Sequence, residues 1–425
     1  MGGWLPGTGR RRDRIGSLLV SVQDPDVGGL RYAGRVGTGF TQAELDRLAG
    51  ILGPLEQPAS PFAPGGPKLP KGAVFVAPER LAEVEFTEWT ADGQLRHPSY
   101  KGLRDDKPAR EVVREAEADA PEVEVLSESA KARELRVDGR EVRLSNPAKA
   151  LFPDGTTKTD VLDYYLRIAP VLLPHLAGRA LTLKRYPNGT EGKFFYEKNA
   201  PSHRPEWVRT ARVGEIDYVL CEDRPTLAWL ANLADLELHT PQARAEAPLR
   251  PTQVVFDLDP GPGTTIVECS RVALLIRGMF AGLGLTALPK TSGSKGMQLL
   301  VPLNHPDATA EGAKGFARSV AELLEAEVGE LVVARQAKAL RGGKVLVDWS
   351  QNDDAKTTVC AYSLRAMDEP TVSTPVTWEE GEACAEGDDP ALLRFTAGQV
   401  LERVAEHGDL LAPVLSEVHA LPAGA

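Results

Sequence analysis

The sequence VVFDLDPGPG, residues 254–263, joins a short apolar run to two carboxylates and a turn rich in proline and glycine. The run from Val254 to Phe256 predicts a buried strand, and Asp257 and Asp259 follow at its end. Because side chains alternate between the two faces of a strand, both carboxylates can converge on one point. Two carboxylates in one space repel each other unless a cation or a proton lies between them, and a hard divalent ion fits best.

Two later segments support this interpretation, which matters because most isolated D-x-D pairs are ordinary turn or cap residues. The turn KTSGSKG, residues 290–296, offers backbone N–H groups and the side chain of Lys295 to a polyphosphate. The run KVLVD, residues 344–348, predicts a strand that ends in a third carboxylate, Asp348. Carboxylates, divalent metals and a phosphate-binding lysine are together the components of two-metal phosphoryl or nucleotidyl transfer.

In this order, FDLDPGPG, TSGSKGMQLLVPL and KVLVDWSQN resemble the three motifs of the polymerase domain of bacterial DNA ligase D, an archaeo-eukaryotic primase-type nucleotidyltransferase. The resemblance covers residues 137–425. It implies that Asp257, Asp259 and Asp348 are catalytic and hold two Mn²⁺ or Mg²⁺ ions, roughly 3.5 to 4 Å apart. The reaction it implies is template-guided addition of nucleotides, with a preference for ribonucleotides and Mn²⁺, during non-homologous end joining of double-strand breaks.

The resemblance also assigns five side chains to the incoming nucleoside triphosphate: His239, Ser292, Lys295, Gln298 and Arg365. From its surroundings alone, His239 is equally typical of a buried structural histidine. Gln298 departs from the family pattern S-G-x-x-G-x-H, in which a histidine stands at this place. Glutamine can donate a hydrogen bond to phosphate but cannot carry positive charge or shuttle a proton, so weaker stabilisation of the leaving pyrophosphate is expected.

Contacts with DNA are likewise implied by the resemblance. Asn146, Lys149 and Lys158 match residues that hold the 5′-phosphate at the downstream edge of a DNA gap. Phe194 and Phe195 match an aromatic pair that stacks on template bases, a use that suits flat rings. Without the resemblance, the residue types favour surface lysines and core phenylalanines.

The first 115 residues show β-strand patterns separated by turns. Strands are predicted over 15–22, 30–36, 72–76 and 81–89, and a helix over 41–52. Short strands with one helix indicate a small all-β barrel of the OB-fold type. The segments GGWLPGTGRRRDRIGSLLV, YAGRVGTGF and AEVEFTEWTADGQLRHPSYKGLRDDKP are similar to the C-terminal OB domain of ATP-dependent DNA ligases of the ligase D type.

Such ligases form a lysyl-adenylate on the lysine of a K-x-D-G motif in an upstream domain, and the sequence contains no K-x-D-G. Ligase activity is therefore not expected from this chain alone, and the OB domain is predicted to grip DNA. Lys101, Arg104 and Lys107 match the basic motif that faces the nucleotide in the family, and here they are expected to touch either the DNA backbone or nothing. The candidate partners are DNA ends or gapped DNA, nucleoside triphosphates, a Ku-type protein and a separate ligase adenylation chain.

Residues 116–134 are acidic, rich in alanine and free of aromatic side chains, which predicts a linker. Beyond it, residues 135–144 predict a hairpin around Asp138 and Gly139, and later strands and helices mix without strict alternation. The fold class is thus multidomain. It comprises an N-terminal all-β OB-fold barrel (1–115), the acidic linker (116–134) and a C-terminal α+β primase-polymerase domain (135–425) with a largely antiparallel sheet.

The net charge of −11 is concentrated in residues 111–134 and 377–425, and basic clusters elsewhere are compatible with salt-sensitive DNA binding. The four cysteines are scattered without a C-x-x-C pair, which disfavours a zinc site or a disulfide framework. No apolar run reaches the roughly 18 residues of a membrane span, and the N-terminus lacks the apolar core of a signal peptide. A cytoplasmic, nucleoid-associated location without membrane contact is expected.

Two alternative functions remain open at this point. A phosphatase of the haloacid-dehalogenase type also begins with a strand and D-x-D, but it requires Thr or Val where Gly261 stands. A non-catalytic DNA-end binding module, or a partner subunit of a split ATP-dependent ligase, is favoured by Gln298 and by the missing adenylation motif. Metal-dependent nucleotide incorporation separates this second alternative from a polymerase.

Overall fold

A computed structural model describes residues 1–7, 15–24, 29–64, 67–86, 88–90, 93–104, 112 and 122–422. The chain divides into two compact units, Met1–Ala118 and Asp119–Ala425. The second unit therefore begins well before residue 135, where the sequence predicted its start. No helix in the described ranges is both long and apolar enough to cross a membrane.

The first unit is rich in strands, and the predicted all-β class is confirmed. Five strands form one sheet in the order β3-β2-β1-β5-β4, and β6 pairs with β9. The helix begins where predicted, because the Thr41 side chain accepts a hydrogen bond from the Glu44 amide at 3.2 Å. The predicted strand 81–89 is divided into two. The elements are β1 (Gly3–Pro6), β2 (Ile15–Asp24), β3 (Gly29–Val36), α1 (Gln42–Leu52), β4 (Glu56–Gln57), β5 (Val74–Val76), β6 (Leu81–Glu85), β7 (Glu88–Trp89), β8 (Leu95–Arg96) and β9 (Ser99–Arg104).

Two of the three basic residues predicted to touch DNA lie on β9 of this unit. Lys101 forms an ion pair with Glu85, and Arg104 ends the strand. Lys107 lies outside the described residues.

The second unit contains the remaining sixteen strands and seven α-helices that the structure describes. Its strands are β10 (Val123–Glu128), β11 (Ala132–Val137), β12 (Arg140–Ser145), β13 (Thr182–Arg185), β14 (Phe195–Glu197), β15 (Thr210–Val213), β16 (Ile216–Val219), β17 (Asp235–Thr240), β18 (Gln253–Pro260), β19 (Leu288–Thr291), β20 (Met297–Pro302), β21 (Val332–Val333), β22 (Val345–Asp348), β23 (Thr358–Val359), β24 (Leu364–Ala366) and β25 (Pro370–Val372). Its helices are α2 (Lys158–Leu176), α3 (Arg224–Asn232), α4 (Ile266–Leu283), α5 (Ala310–Glu327), α6 (Trp378–Gly387), α7 (Ala397–His407) and α8 (Ala412–Ser416).

The end of the predicted linker is folded, and this corrects the prediction for residues 123–128. These residues form β10, which pairs antiparallel with β11 and makes a three-stranded sheet with β12. Two of its acidic side chains, Glu124 and Glu128, form ion pairs with Arg136 and Arg133 on β11. The acidity that suggested a linker is therefore matched by arginines across the strand pair.

Local sequence patterns predict several element boundaries in the second unit. The T-x-x-E pattern at Thr265 predicts a capping box with Glu268, and that capping box begins α4. The apolar spacing after Thr159 predicts a helix that starts there, but α2 begins earlier, because Thr157 and Asp160 form its capping box. A strand predicted over 192–195 begins only at Phe195.

The main sheet of the second unit has the order β19-β20-β18-β22-β21 and is antiparallel except for the β21–β22 pair. Strand β18 is central, and its side chains alternate between two environments. Val254, Phe256 and Leu258 join a core formed with α4 and α5, where the Phe256 ring lies 5.3 Å from that of Phe280. Asp257 falls on the other face, so packing of one face decides where the carboxylates point.

The buried side chain of Asn352 fastens the segment after β22 to β18. Its amide oxygen accepts from the backbone N–H of Val255 at 2.8 Å, and its amide nitrogen donates to the Val255 carbonyl at 2.7 Å. Asn352 thus satisfies both backbone groups of Val255, as a neighbouring strand would.

Asn352→Ala is expected to lower the free energy of unfolding by about 2 to 4 kcal/mol, because two buried backbone groups lose their partners. Urea unfolding of the full chain measures this change. The matched control is Asn199→Ala, which removes an exposed amide that accepts from the Asp217 N–H at 3.3 Å and should cost less than about 0.5 kcal/mol. Equal stability of the two variants would contradict the fastening role of Asn352.

Candidate active site

Three carboxylates meet on the open face of the main sheet. Antiparallel pairing of β18 with β22 places Asp257 directly opposite Asp348, and Asp259 lies two residues further along β18. One oxygen from each of the three carboxylates lies within 4.8 Å of the other two. Residues 91 positions apart in the chain are therefore brought together by strand register alone.

This cluster carries negative charge without a matching cation in direct contact among the described residues. Burial, followed by the charge of Asp259, raises the pKa of Asp257 to about 7. Burial and the charge of Asp348 also raise the pKa of Asp259. Three closely spaced carboxylate oxygens suit a hard divalent cation, whose charge would remove this repulsion. The residues therefore fit a Mg²⁺ or Mn²⁺ site.

Neutral donors hold Asp348 in place. Ser350 donates its hydroxyl to one carboxylate oxygen at 2.6 Å, and Gln336 donates its amide to the same oxygen at 2.7 Å. Gln351 donates to the other oxygen at 2.8 Å. These donors orient the carboxylate without supplying positive charge, so the electrostatic demand for a cation persists.

The turn between β19 and β20 is closed by the side chain of Ser292. Its hydroxyl oxygen accepts from the amides of Ser294 at 3.3 Å and of Gly296 at 3.1 Å. These two amides are used inside the turn, which corrects the expectation that its N–H groups as a whole are available to a phosphate. Gly296 is required because a Cβ there would lie 2.2 Å from the Leu258 carbonyl oxygen on β18.

A single cavity of about 240 Å³ joins two carboxylates of the acidic cluster to the predicted triphosphate residues. Asp257 and Asp259 line it together with all five side chains assigned to the nucleotide, namely His239, Ser292, Lys295, Gln298 and Arg365. Lys295 is exposed at the turn, whereas Gln298 is buried and donates its amide to Asp257 at 2.9 Å. The β18–β20 register places Gln298 opposite Asp257, which accounts for this contact.

Glu237 is a buried carboxylate with several hydrogen-bond partners, and the sequence analysis did not predict its role. Its carboxylate accepts from Lys184 at 3.0 Å, from the Tyr186 hydroxyl at 3.0 Å and from His239 at 3.0 Å. It also accepts from the Ala366 amide at 3.2 Å, and the Arg365 guanidinium lies 3.7 Å away. One carboxylate thus contacts two of the residues that line the cavity.

The pKa of Glu237 is shifted in the opposite direction from the pKa values of the acidic cluster. Burial alone would raise the pKa of Glu237, but the hydrogen bond from His239 and the charges of Arg365 and Lys184 hold it well below its usual range. Burial lowers the pKa of His239, and its hydrogen bond to Glu237 opposes that change. A usable signal existed in the sequence, because residues two apart on β17 share a face and Glu237 therefore accompanies His239.

An exposed aromatic surface borders the cavity. Phe194 and Phe195 are 50% and 43% exposed, contrary to the default expectation for phenylalanine, and Tyr196 is 56% exposed. The Lys184 ammonium lies 4.7 Å from the centre of the Phe194 ring, and the Tyr196 ring lies 6.1 Å from that of His239. Flat rings above a cation are suited to stacking with nucleobases.

The three residues predicted to hold a 5′-phosphate differ in exposure. Asn146 is exposed and adopts a positive φ of 50°. Lys149 donates to the Pro187 carbonyl at 2.5 Å, whereas Lys158 is buried and donates to the Asn232 carbonyl at 2.8 Å. Burial, followed by the charges of Lys149 and Arg185, lowers the pKa of Lys158 to about 8. These cations repel one another, and a bound anion would relieve the repulsion.

Comparisons with known families divide the chain in the same way. The family model of the LigD primase-polymerase domain matches residues 157–411. The family model of the ATP-dependent DNA ligase C-terminal region matches residues 11–107.

Similar proteins and structures agree. The multifunctional non-homologous end joining protein LigD of Mycolicibacterium smegmatis is 46% identical over 282 residues, which cover 64% of this chain and 36% of that protein. The corresponding protein of Pseudomonas aeruginosa is 34% identical over 390 residues, covering 89% and 46%. A structure of the polymerase domain of Mycobacterium tuberculosis ligase D in complex with DNA matches with a TM-score of 0.60 and 41% identity, covering 65% of this chain and 99% of that chain.

The α+β unit and its acidic cavity, together with these matches, define a primase-type nucleotidyltransferase unit that follows a ligase C-terminal region. The chain belongs to the LigD primase-polymerase family. It spans less than half the length of the two curated relatives described above.

The raised pKa of Asp257 predicts how stability and ion binding depend on pH. Without divalent ions, the folded protein binds this proton more tightly than the unfolded chain, so stability falls as pH rises from about 4 through about 7. Mn²⁺ should therefore stabilise the protein more at about pH 8 than at about pH 5, because protons compete with the ion.

Urea unfolding with EDTA or with Mn²⁺ at each pH measures both effects. Asp257→Asn should flatten the pH dependence and abolish stabilisation by Mn²⁺. The control Asp163→Asn, at an exposed carboxylate on α2, should behave as the wild type does. If Mn²⁺ still stabilises the Asp257→Asn variant as much as the wild type, Asp257 is not a ligand of the ion.

Proposed function

We propose that this chain is a template-guided nucleotidyltransferase that adds nucleotides to a primer 3′-OH during non-homologous end joining. The observation that carries the proposal is the single cavity lined by two carboxylates of the acidic cluster and by all five predicted triphosphate residues. Catalytic carboxylates and phosphate-binding groups must face one space for in-line displacement, and here strand register supplies that arrangement.

Asp257, Asp259 and Asp348 would hold two Mg²⁺ or Mn²⁺ ions. Bound there, such ions lower the pKa of the primer 3′-hydroxyl and neutralise the triphosphate. Ser350, Gln336 and Gln351 keep Asp348 oriented for this role. Lys295, exposed beside the cavity, supplies positive charge to the triphosphate.

In this proposal, Glu237 determines which ring nitrogen of His239 carries a hydrogen and stabilises the protonated ring. An ionised carboxylate only accepts hydrogen bonds, so the His239 Nε2 must carry the hydrogen in their 3.0 Å contact. An approaching triphosphate favours protonation of the other ring nitrogen, and Glu237 would stabilise the resulting imidazolium. Glu237 also lies beside Arg365, so one buried charge positions two groups that face the nucleotide.

Gln298 takes a role different from that of the family histidine it replaces. Its N–H is directed at Asp257, where it holds the carboxylate rather than adding charge. Nucleotide binding therefore relies on Lys295, Arg365 and His239 for positive charge. This arrangement supports slower turnover with retained binding.

DNA would approach along the aromatic surface of Phe194, Phe195 and Tyr196, whose exposed rings offer stacking to template bases. Asn146 and Lys149, with Lys158 behind them, would receive a 5′-phosphate at a gap edge. The ligase-type unit would add backbone contacts, and Ku-type and adenylating partners would complete end joining. Such a role would require a cytoplasmic location at the nucleoid.

The second candidate is a non-catalytic DNA-end binding module or a subunit of a split ligase. The uncharged Gln298 in place of the family histidine favours it. Primer extension with Mn²⁺ decides between the candidates, because tight DNA binding without incorporation would select the second.

The double variant Asp257→Ala with Asp259→Ala is expected to reduce primer extension by at least about a hundredfold, because it removes ligands for the ions that stabilise the transition state. Extension of a gapped, 5′-phosphorylated primer–template with ribonucleotides and Mn²⁺ measures this loss. The control pair Asp163→Ala and Asp307→Ala removes two exposed carboxylates and should retain wild-type activity. Extension by the double variant at the wild-type rate would refute the catalytic assignment.

Glu237→Gln is expected to raise the KM for the nucleotide about tenfold with little change in kcat, because His239 and Arg365 lose the charge that positions them. As pH increases, the KM should begin to rise at a lower pH in the variant than in the wild type, because the His239 imidazolium is less stabilised and loses its proton earlier. A merely structural role would leave that pH profile unmoved. The control is Glu311→Gln at an exposed site on α5.

A further inference from the structure

A second cavity, of about 280 Å³, lies in the second unit next to the cavity that the predicted triphosphate residues line, called the nucleotide cavity below. Thr357 lines both cavities, so their contents would be neighbours. Its floor includes Thr182 on β13, which pairs with His239 on β17. The second cavity therefore extends the nucleotide cavity along the same small sheet, β14-β13-β17-β23.

Three exposed cations line this cavity: Lys198, Arg244 and Lys356. Within the described ranges of the chain, no carboxylate forms an ion pair with any of them, although most arginines of the second unit are paired. One acidic residue, Asp354, also lies at the rim, which leaves a net positive charge. Unpaired cations around a cavity favour an anionic occupant.

The remaining wall is apolar. Val213, Ile216 and Tyr218 of the β15–β16 hairpin form one side, and Ala243 and Pro248 contribute to the other. A small inorganic anion would bind the cations but gain nothing from contact with the apolar wall. An apolar molecule would contact the wall but would leave the cations without a partner. A nucleotide matches both features, because it joins a flat base and a sugar to a phosphate.

We infer that this second cavity holds one nucleotide of an unpaired DNA strand, with its phosphate toward Lys198, Arg244 and Lys356 and its base and sugar against the hairpin wall. The inference rests on the proposed polymerase function, because it places this strand beside the incoming nucleotide. The shared residue Thr357 marks the boundary between strand and nucleotide.

The test compares the full-length wild type with the charge-neutralised variant Lys198→Gln, Arg244→Gln, Lys356→Gln. The probe is a fluorescent oligothymidylate of about twelve nucleotides, bound without metal or nucleoside triphosphate and followed by anisotropy at several salt concentrations. The matched control, Lys131→Gln, Arg167→Gln, Arg318→Gln, removes three exposed cations that line neither cavity.

The charge-neutralised variant should bind the oligonucleotide at least about tenfold more weakly. The slope of log affinity against log salt should shrink by about 0.7, because the protein neutralises one phosphate fewer. The control variant should keep most of the wild-type affinity.

Two results would overturn the inference. The first is an equal loss of affinity in the charge-neutralised and control variants. The second is an unchanged oligonucleotide affinity with a raised KM for the mononucleotide, which would assign the cavity to the incoming nucleotide. Because the binding assay involves no turnover, a wild type that fails to extend primers would refute the proposed function while leaving a positive binding contrast intact.

Discussion

Alternation of side chains along β18 is the constraint on which the second unit depends. Val254, Phe256 and Leu258 are fully buried against α4 and α5, and each such side chain contributes roughly 1.5 to 3 kcal/mol when removed from water. That burial forces Asp257 and Asp259 onto the opposite face, where their mutual repulsion costs free energy. The apolar face therefore sustains an acidic site that would not assemble on its own account, and a slip of one residue would exchange the two faces.

The second unit contains buried carboxyl groups with raised pKa values and one with a lowered pKa, and their surroundings explain the difference. Burial, followed by the charge of a neighbouring carboxylate, raises the pKa values of Asp257 and Asp259, and no cation is in direct contact with them among the described residues. Glu237 has a lowered pKa because His239, Arg365 and Lys184 surround it. Negative charge is left uncompensated where a divalent ion is proposed to bind, and it is fully compensated where side chains need a fixed geometry. Such contrasts in environment give the same carboxyl group different tasks.

Local patterns in the sequence predicted much of this, and long-range contacts account for the rest. The strand and carboxylates of residues 254–259, the capping box of Thr265 and the hairpin at Asp138 depend on neighbouring residues and were readable. The β10 strand was not, because its acidic residues are neutralised by arginines on β11. Glu237 was missed because its partners come from three separate segments, residues 184–186, 239 and 365–366. Two turn amides that were expected to face a phosphate instead donate to the Ser292 hydroxyl.

The pairing of Asp257 with Asp348 has a consequence for the newly made polypeptide. The main sheet is not complete until β22 joins β18, and β22 leaves the ribosome almost a hundred residues after β18. During that interval β18 lacks a neighbour on one edge, so the three carboxylates cannot meet and that edge stays uncovered. Binding of the proposed divalent ion by all three carboxylates would therefore come late in biogenesis, only after the sheet has closed.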